Sequence, residues 1–266
     1  MNSSAKKHMP LEMTHPREPR PELPLDGVLV VSLEHAIAAP FATRQLADLG
    51  ARVIKVERTG SGDFARAYDA RVRGLASHFV WRNRSKESLT LDLKQPEALA
   101  VLHSLAERAD VLVQNLAPGA SARLGLGAVE LLDRHPRLIV CDISGYGGDG
   151  PSRDRKAYDL LIQSEAGFLS VTGTPDAIAK AGISIADIAA GMYAYSSILA
   201  ALIRRGKTGK GCHIDVSMLE ALTEWMGFPL YYTFEDQPPP PRTGAFHATI
   251  FPYGPFETAD RIAVML

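Results

Sequence analysis

Cysteine is nearly absent. The 266 residues carry two, Cys141 and Cys212, which rules out a disulfide framework. Neither belongs to a C-x-x-C pair, so zinc ribbons and thioredoxin-like chemistry are excluded as well. There is no excess of charge: 29 Lys+Arg stand against 30 Asp+Glu, for a formal net charge of -1. Without a global field to hold nucleic acid or an anionic membrane, any anionic ligand must be held by locally placed cations. The apolar stretches read as too short or too interrupted to span a bilayer, and the N-terminus has no apolar h-region. The G-x-S-x-G, H-E-x-x-H and Walker sequences are missing, which leaves serine hydrolase, zincin and P-loop chemistry without support. The eight histidines are scattered without ligand spacing, so no metal site is expected. These absences point to a protein of a reducing, cytoplasmic compartment, with no nucleic-acid or membrane partner.

What is present alternates regularly. Residues 1–24 are rich in proline and charge without periodicity and are expected to be a flexible tail. From Leu25 onward, Val28–Leu33 is a continuous apolar run, the mark of a strand buried on both faces. Pro40–Leu49 reads as a helix ended by Gly50, and Arg52–Val56 as a second buried strand. Pro96–Ala109 is a helix with proline in its first turn, followed by strands at Asp110–Val113 and Arg137–Cys141. Such strand–helix–strand repetition predicts a parallel sheet covered by helices on both sides, an α/β fold of Rossmann-like kind.

The second half reads as more helical. Asp187 is expected at the N-cap of a long helix whose last turn holds Arg204 and Arg205, with Gly206 ending it. After Ile214–Met218 and a short helix, the run Gln237–Pro241 reads as a semi-rigid connector. That divides the chain into a large domain at 25–224 and, at 225–266, a linker with the start of a smaller domain. The sequence stops at Arg261–Leu266, inside an apolar strand, which suggests a truncated chain and a strand without a partner in the first 224 residues.

Two features invite a functional reading. Gly60-Ser-Gly62-Asp-Phe-Ala65 has the form G-x-G-x-x-A, but it follows the second strand and no ribose-binding acid follows at the expected distance, so dinucleotide binding is disfavoured. Asp187 follows an extended segment and opens a helix, a position that serves equally well as an ordinary cap and as an ionised nucleophile. Its small neighbours Ala186, Ala189, Ala190 and Gly191 leave room for a bulky substrate.

A set of phrases in order decides between those readings: Pro24–Gly27, Val53–Arg58 with Gly60–Asp63, Leu91–Lys94, Gln114-Asn115 with Pro118-Gly119, Ser144–Gly147, and Lys207–Gly211 through Met218. Together they resemble the class III CoA-transferase family (CaiB/BaiF type), which includes formyl-CoA transferase, the carnitine-type CoA-transferases and α-methylacyl-CoA racemase. The match covers residues 24 to 266 and is specific for family, not for substrate. It implies a Rossmann-like large domain, an interlocked homodimer, and coenzyme A or acyl-CoA as substrate with no tightly bound cofactor.

Carried over by position, the resemblance implies Asp187 as the catalytic aspartate, with Tyr158 and Asp159 beside it orienting the acyl group. It implies CoA contacts at Ile37, Ala38, Arg58, Leu91, Lys94, Asn115, Leu116, Arg123 and Lys156. Ile37 stands where formyl-CoA transferase has glutamine, which argues against that substrate, and Leu116 replaces an aromatic that would flank the adenine. The cations agree with an independent reading: Arg58, Lys94, Arg123 and Lys156 follow predicted strands, and loops there meet at the carboxyl edge of a parallel sheet. Several positive charges and helix N-termini suit the 3′-phosphate and diphosphate of CoA. Any one of them alone reads as a solvated surface charge.

The same aspartate serves transfer and racemisation. A racemase needs two proton-carrying groups on opposite faces of the α-carbon, and its branch pairs the aspartate with a histidine. Here Tyr158 holds that place, and a phenol with a pKa of about 10 exchanges protons poorly at neutral pH. The expectation is therefore CoA transfer between an acyl-CoA and a carboxylic acid, small dicarboxylates among the acids. Racemisation, or a non-catalytic CoA-binding role, is the alternative.

Overall fold

The computed structural model describes residues 22–266. Most of the expected tail, residues 1–21, lies outside the described residues. In chain order the structure has β1 (Leu29–Leu33), α1 (Ala38–Asp48), β2 (Arg52–Glu57), α2 (Ser77–Asn83), β3 (Lys86–Thr90) and α3 (Pro96–Arg108). Next come β4 (Val111–Gln114), α4 (Ala120–Arg123), α5 (Ala128–Arg134), β5 (Ile139–Ser144), α6 (Asp159–Glu165) and α7 (Phe168–Val171). The two-residue strands β6 (Gly173–Thr174) and β7 (Ala177–Ile178) precede α8 (Ile185–Thr208), β8 (Cys212–Ser217), α9 (Met218–Trp225) and α10 (Gly227–Tyr232). The short strands β9 (Pro255–Glu257) and β10 (Ala263–Met265) close the chain.

Six strands form one sheet in the order β3-β2-β1-β4-β5-β8, every pair parallel. The continuous apolar strands are explained by burial on both faces. Val30, Val53, Val111, Ile139 and Cys141 pack on the side of α1 and α8, while their neighbours Val31, Leu112 and Val140 pack with Leu102, Ala106 and Leu131 of α3 and α5. The edge strand β3 has no counterpart in the sequence reading. Lys86-Glu-Ser-Leu-Thr90 is largely polar and partly exposed, and pairing with β2, from Val53↔Lys86 to Glu57↔Thr90, makes it a strand.

Helix α8 differs from expectation in three ways. Ser184, not Asp187, is its N-cap, and it runs through Gly206 to Thr208, with Gly209 closing it in the left-handed region at φ 72°. It is also long and apolar enough to cross a membrane by length and composition, contrary to the sequence reading. Its apolarity is used in the core: Ala186, Ala189, Ala190, Ala194 and Ile198 are buried against the sheet and α1. Gly191 lets the two helices approach, since a Cβ there would stand 2.7 Å from the carbonyl oxygen of Ala38.

Among the described residues, the C-terminal apolar strand pairs with no strand of the first 224 residues, as expected. Ala263–Met265 pairs antiparallel with Pro255–Glu257, inside the last 42 residues. The proline-rich connector docks on the β6–β7 hairpin: Arg242 donates to the carbonyls of Thr174 and Pro175, each at 2.9 Å.

Candidate active site

Six parallel strands aim their following loops at one edge. The strand order reverses between β1 and β4, and crevices of α/β sheets open at such a switch. A cleft of about 1130 Å³ lies there, walled by residues 35–38 after β1, 115–118 after β4, 143–145 and 155–160 after β5, one face of α2, and the first turn of α8.

Asp187 lines this cleft as the third residue of α8. Its carboxylate is free for chemistry because another residue caps the helix. Asp159, the first residue of α6, accepts the N–H of Ala186 at 2.8 Å. The other Asp159 oxygen accepts from Gln163 at 2.6 Å, and Gln163, fully buried, accepts the N–H of Ala181 at 2.9 Å. One carboxylate therefore fastens α6 to the start of α8 and sets where the other sits. Burial, then the charge of Asp159, push the Asp187 pKa up to about 7; the Arg82 guanidinium and the backbone N–H of Ala38 pull the other way. A carboxyl titrating there is ionised in good part at neutral pH yet carries a destabilised, reactive anion.

The facing wall is held rigidly. Ala36 takes φ 62°, unusual for a residue with a side chain, and its N–H donates to Asp63 at 3.1 Å. Asn115 clamps the same loop, accepting from His35 N–H at 3.0 Å and donating to His35 O at 2.9 Å. Beneath it lies a paired charge network. Lys55 bonds Asp63 at 2.7 Å and Asn83 at 2.8 Å, while Lys86 bonds Glu34 at 2.6 Å. Thr43 completes Glu34 at 2.6 Å. Burial lowers the Lys86 pKa to about 8, and the Glu34 charge opposes the shift. Satisfied networks of this kind fix one loop conformation.

The expected site residues divide into two groups. Asp187, Tyr158, Asp159, Ile37, Ala38, Asn115, Leu116 and Lys156 all line the cleft. Tyr158 is 68% exposed, so it is not a packing aromatic and is available to a ligand. Arg58, Leu91, Lys94 and Arg123 do not line it. Arg58 donates to Gly62 O at 2.8 Å on the loop after β2, and Leu91, partly buried against the α3 side of the core, donates its N–H to Glu57 O. Lys94 and Arg123 are exposed, past β3 and in α4. These four stay at the carboxyl edge as a rim beyond the cleft. The glycines of the G-x-G-x-x-A segment make a turn: Gly60 and Gly62 have φ 78° and 61°, and the buried Asp63 caps the short helix at Phe64–Ala67.

The sequence reading missed one wall. His78, Trp81 and Arg82, three and four residues apart on α2, line the cleft together, as does His35. Two histidines thus approach the aspartate's cleft although none neighbours it in sequence. Burial lowers both their pKa values from the ordinary imidazole value. Arg82 is fully buried, and none of its three guanidinium nitrogens has a hydrogen-bond partner. The i, i+3, i+4 spacing was the available signal, but no helix was expected there, and a charged residue reads as surface by default.

Comparison with known proteins gives a consistent result. The family model for CoA-transferase family III matches residues 25–266. An acetyl-CoA:oxalate CoA-transferase of Acetobacter aceti is 38% identical over 251 residues, covering 94% of this chain and 64% of that protein. A succinyl-CoA:glutarate CoA-transferase of Homo sapiens is 36% identical over 244 residues, 91% of this chain and 56% of that protein. Among solved structures, a CaiB/BaiF family protein from Brucella suis superposes with a TM-score of 0.83 at 35% identity, covering 90% of this chain and 65% of that one. The chain thus spans less than two thirds of the length of these relatives.

Proposed function

The chain belongs to CoA-transferase family III, and on that premise we propose that it moves coenzyme A from an acyl-CoA to a small dicarboxylic acid through Asp187. The observation that carries this is the Asp187 carboxylate itself: it lines the cleft uncommitted to capping, with its pKa held near 7. The relatives named above act on oxalate or glutarate, which supports the dicarboxylate class.

In the proposed reaction the Asp187 carboxylate attacks the donor thioester carbonyl, forming a mixed anhydride and releasing CoA as thiolate. The thiolate then attacks the aspartyl carbonyl, giving an aspartyl-CoA thioester and the free donor acid. The acceptor carboxylate attacks that thioester, forming a second anhydride and thiolate. Attack of the thiolate on the acyl carbonyl yields the new acyl-CoA and restores Asp187. Dividing the exchange this way conserves the thioester's energy. The Ala38 N–H, directed at the carboxylate, can stabilise developing oxyanions. Asp159 acts through position, by fastening the start of α8. Ile37, Ala38, Asn115, Leu116 and Lys156 in the cleft, with Arg58, Leu91, Lys94 and Arg123 on the rim, form the proposed CoA track. The reading includes a cytoplasmic homodimer, with CoA exchanging as substrate rather than held as a cofactor.

The test is isotope exchange: labelled glutarate or succinate should enter the CoA thioester pool with wild type and not with Asp187→Ala. A second reading, racemisation at an α-carbon, is favoured by His35 and His78 beside the cleft. Incubation of a 2-methylacyl-CoA in deuterated water separates the two, because only a racemase incorporates deuterium at that carbon.

A further inference from the structure

The unexplained feature of the cleft is Arg82. Its side chain is fully buried on the wall built by α2, and Nε, Nη1 and Nη2 all lack a protein partner. Arginine in that condition is rare, because a buried cation with five unmade hydrogen bonds is costly to hold. The other buried cations of this fold, Lys55 and Lys86, are each ion-paired and hydrogen-bonded. Arg82 is the exception among them, and it faces the cleft.

Asp187 is not its partner. The two attract across the cleft, but no ion pair joins them within 4.0 Å. Both side chains line the same cleft, so one ligand can touch both. Around it the wall is aromatic, with Trp81 lying 5.3 Å from the Arg82 guanidinium carbon and Tyr68 nearby. Trp81 is 40% exposed and lines the cleft beside the guanidinium. A planar fork of N–H donors matches a carboxylate bidentately, as no lysine can.

We infer that Arg82 anchors the second, non-reacting carboxylate of a dicarboxylic acyl group or acid while its other end reacts at Asp187. The inference rests on the transferase reading for its chemistry, and it makes Arg82 the residue that selects dicarboxylic over monocarboxylic substrates. Binding supplies the missing partner, so the cost of the orphaned cation in the free protein becomes selectivity for acids that bring a carboxylate to it.

The test compares matched substrates that differ by one carboxylate: succinyl-CoA against butyryl-CoA as donors, and glutarate against pentanoate as acceptors. In the full chain, wild type should favour the dicarboxylic member of each pair. Arg82→Gln should reduce that preference in kcat/KM by roughly 10- to 100-fold, as expected for loss of a charge-assisted bidentate pair. Arg82→Lys keeps the buried charge without the fork and should give a smaller fall, about 3- to 10-fold; it carries the test where the glutamine variant does not fold. Equal losses on both members of each pair, or no preference in wild type, would overturn the assignment and leave Arg82 acting on Asp187 alone. If wild type transfers CoA to no acid, the transferase reading fails. The anchor is then judged by binding: glutarate should raise the melting temperature more than pentanoate does, in wild type and not in Arg82→Gln, and equal shifts would refute it.

Discussion

Replacing Asp187 with asparagine should make the protein more stable while destroying its chemistry, and the gain should grow with pH. In the fold the Asp187 pKa is pushed up to about 7, against an ordinary value of 3.8. The folded state therefore binds this proton more tightly than the unfolded chain does. Its contribution is favourable at low pH and is lost as pH rises from about 4 through 7. Relative to a side chain that never ionises, the shifted carboxyl costs the fold at most ~4 kcal/mol at pH 8 and ~2 kcal/mol at pH 5, from about 1.4 kcal/mol per tenfold shift in affinity for the proton. The carboxylate borders an open cleft, so about half of each figure is expected, ~2 and ~1 kcal/mol. Burial, Asp159 and Arg82 are already included, because the pKa of about 7 is their net result. Asparagine keeps the shape and an acceptor for the Ala38 N–H. Thermal melts of wild type and Asp187→Asn should differ by roughly 4–8 °C at pH 8 and about half that at pH 5, the variant melting higher. A variant that melts lower at pH 8, or whose advantage shrinks with rising pH, would refute the buried-carboxylate argument.

Other consequences follow from the same contacts. Gly191→Ala sets a Cβ 2.7 Å from Ala38 O and 2.9 Å from the Phe41 ring, so it should cost about 1–3 kcal/mol in denaturant unfolding. It should also slow transfer, because the helix forced away carries Ala38. Asp159→Ala removes the acceptor for Ala186 N–H and strands the buried Gln163 amide, and should cost about 1–3 kcal/mol with a fall in kcat rather than in CoA affinity. Arg58→Ala and Lys94→Ala should each weaken CoA binding by about 1–3 kcal/mol and reduce its salt dependence in titration calorimetry. Unchanged affinity in both would remove the rim from the CoA track.

The sheet was legible because its strands are buried on both faces, so Val28–Leu33, Arg52–Val56 and Asp110–Val113 announce themselves as apolar runs. The edge strand Lys86–Thr90 was not, since half-exposed polar residues become a strand only through pairing with β2. Asp187 was singled out as the candidate nucleophile and also placed at the N-cap, and the second placement failed, since Ser184 holds that position. The capping carboxylate comes from Asp159, 27 residues away in sequence, a relation no local pattern records. Gly206 inside α8 misled for a similar reason: a glycine can be carried in a helix whose buried face holds it, and the true stop at Gly209 needs a left-handed φ. Of the cationic residues singled out, only Lys156 reaches the cleft. The cation built into its wall, Arg82, sits in Trp-Arg-Asn-Arg, where nothing local separates a buried arginine from the exposed Arg84 two residues on.

The most direct test of the account is the covalent intermediate on Asp187. The full chain, mixed with succinyl-CoA without an acceptor and examined promptly by intact mass spectrometry, should gain the mass of CoA less one water. Peptide mapping should place that gain on the segment containing Asp187, hydroxylamine should remove it, and Asp187→Asn should not acquire it. An adduct on any other residue, or turnover of glutarate with no adduct formed and Asp187→Asn still active, would contradict the claim that this carboxylate is the nucleophile.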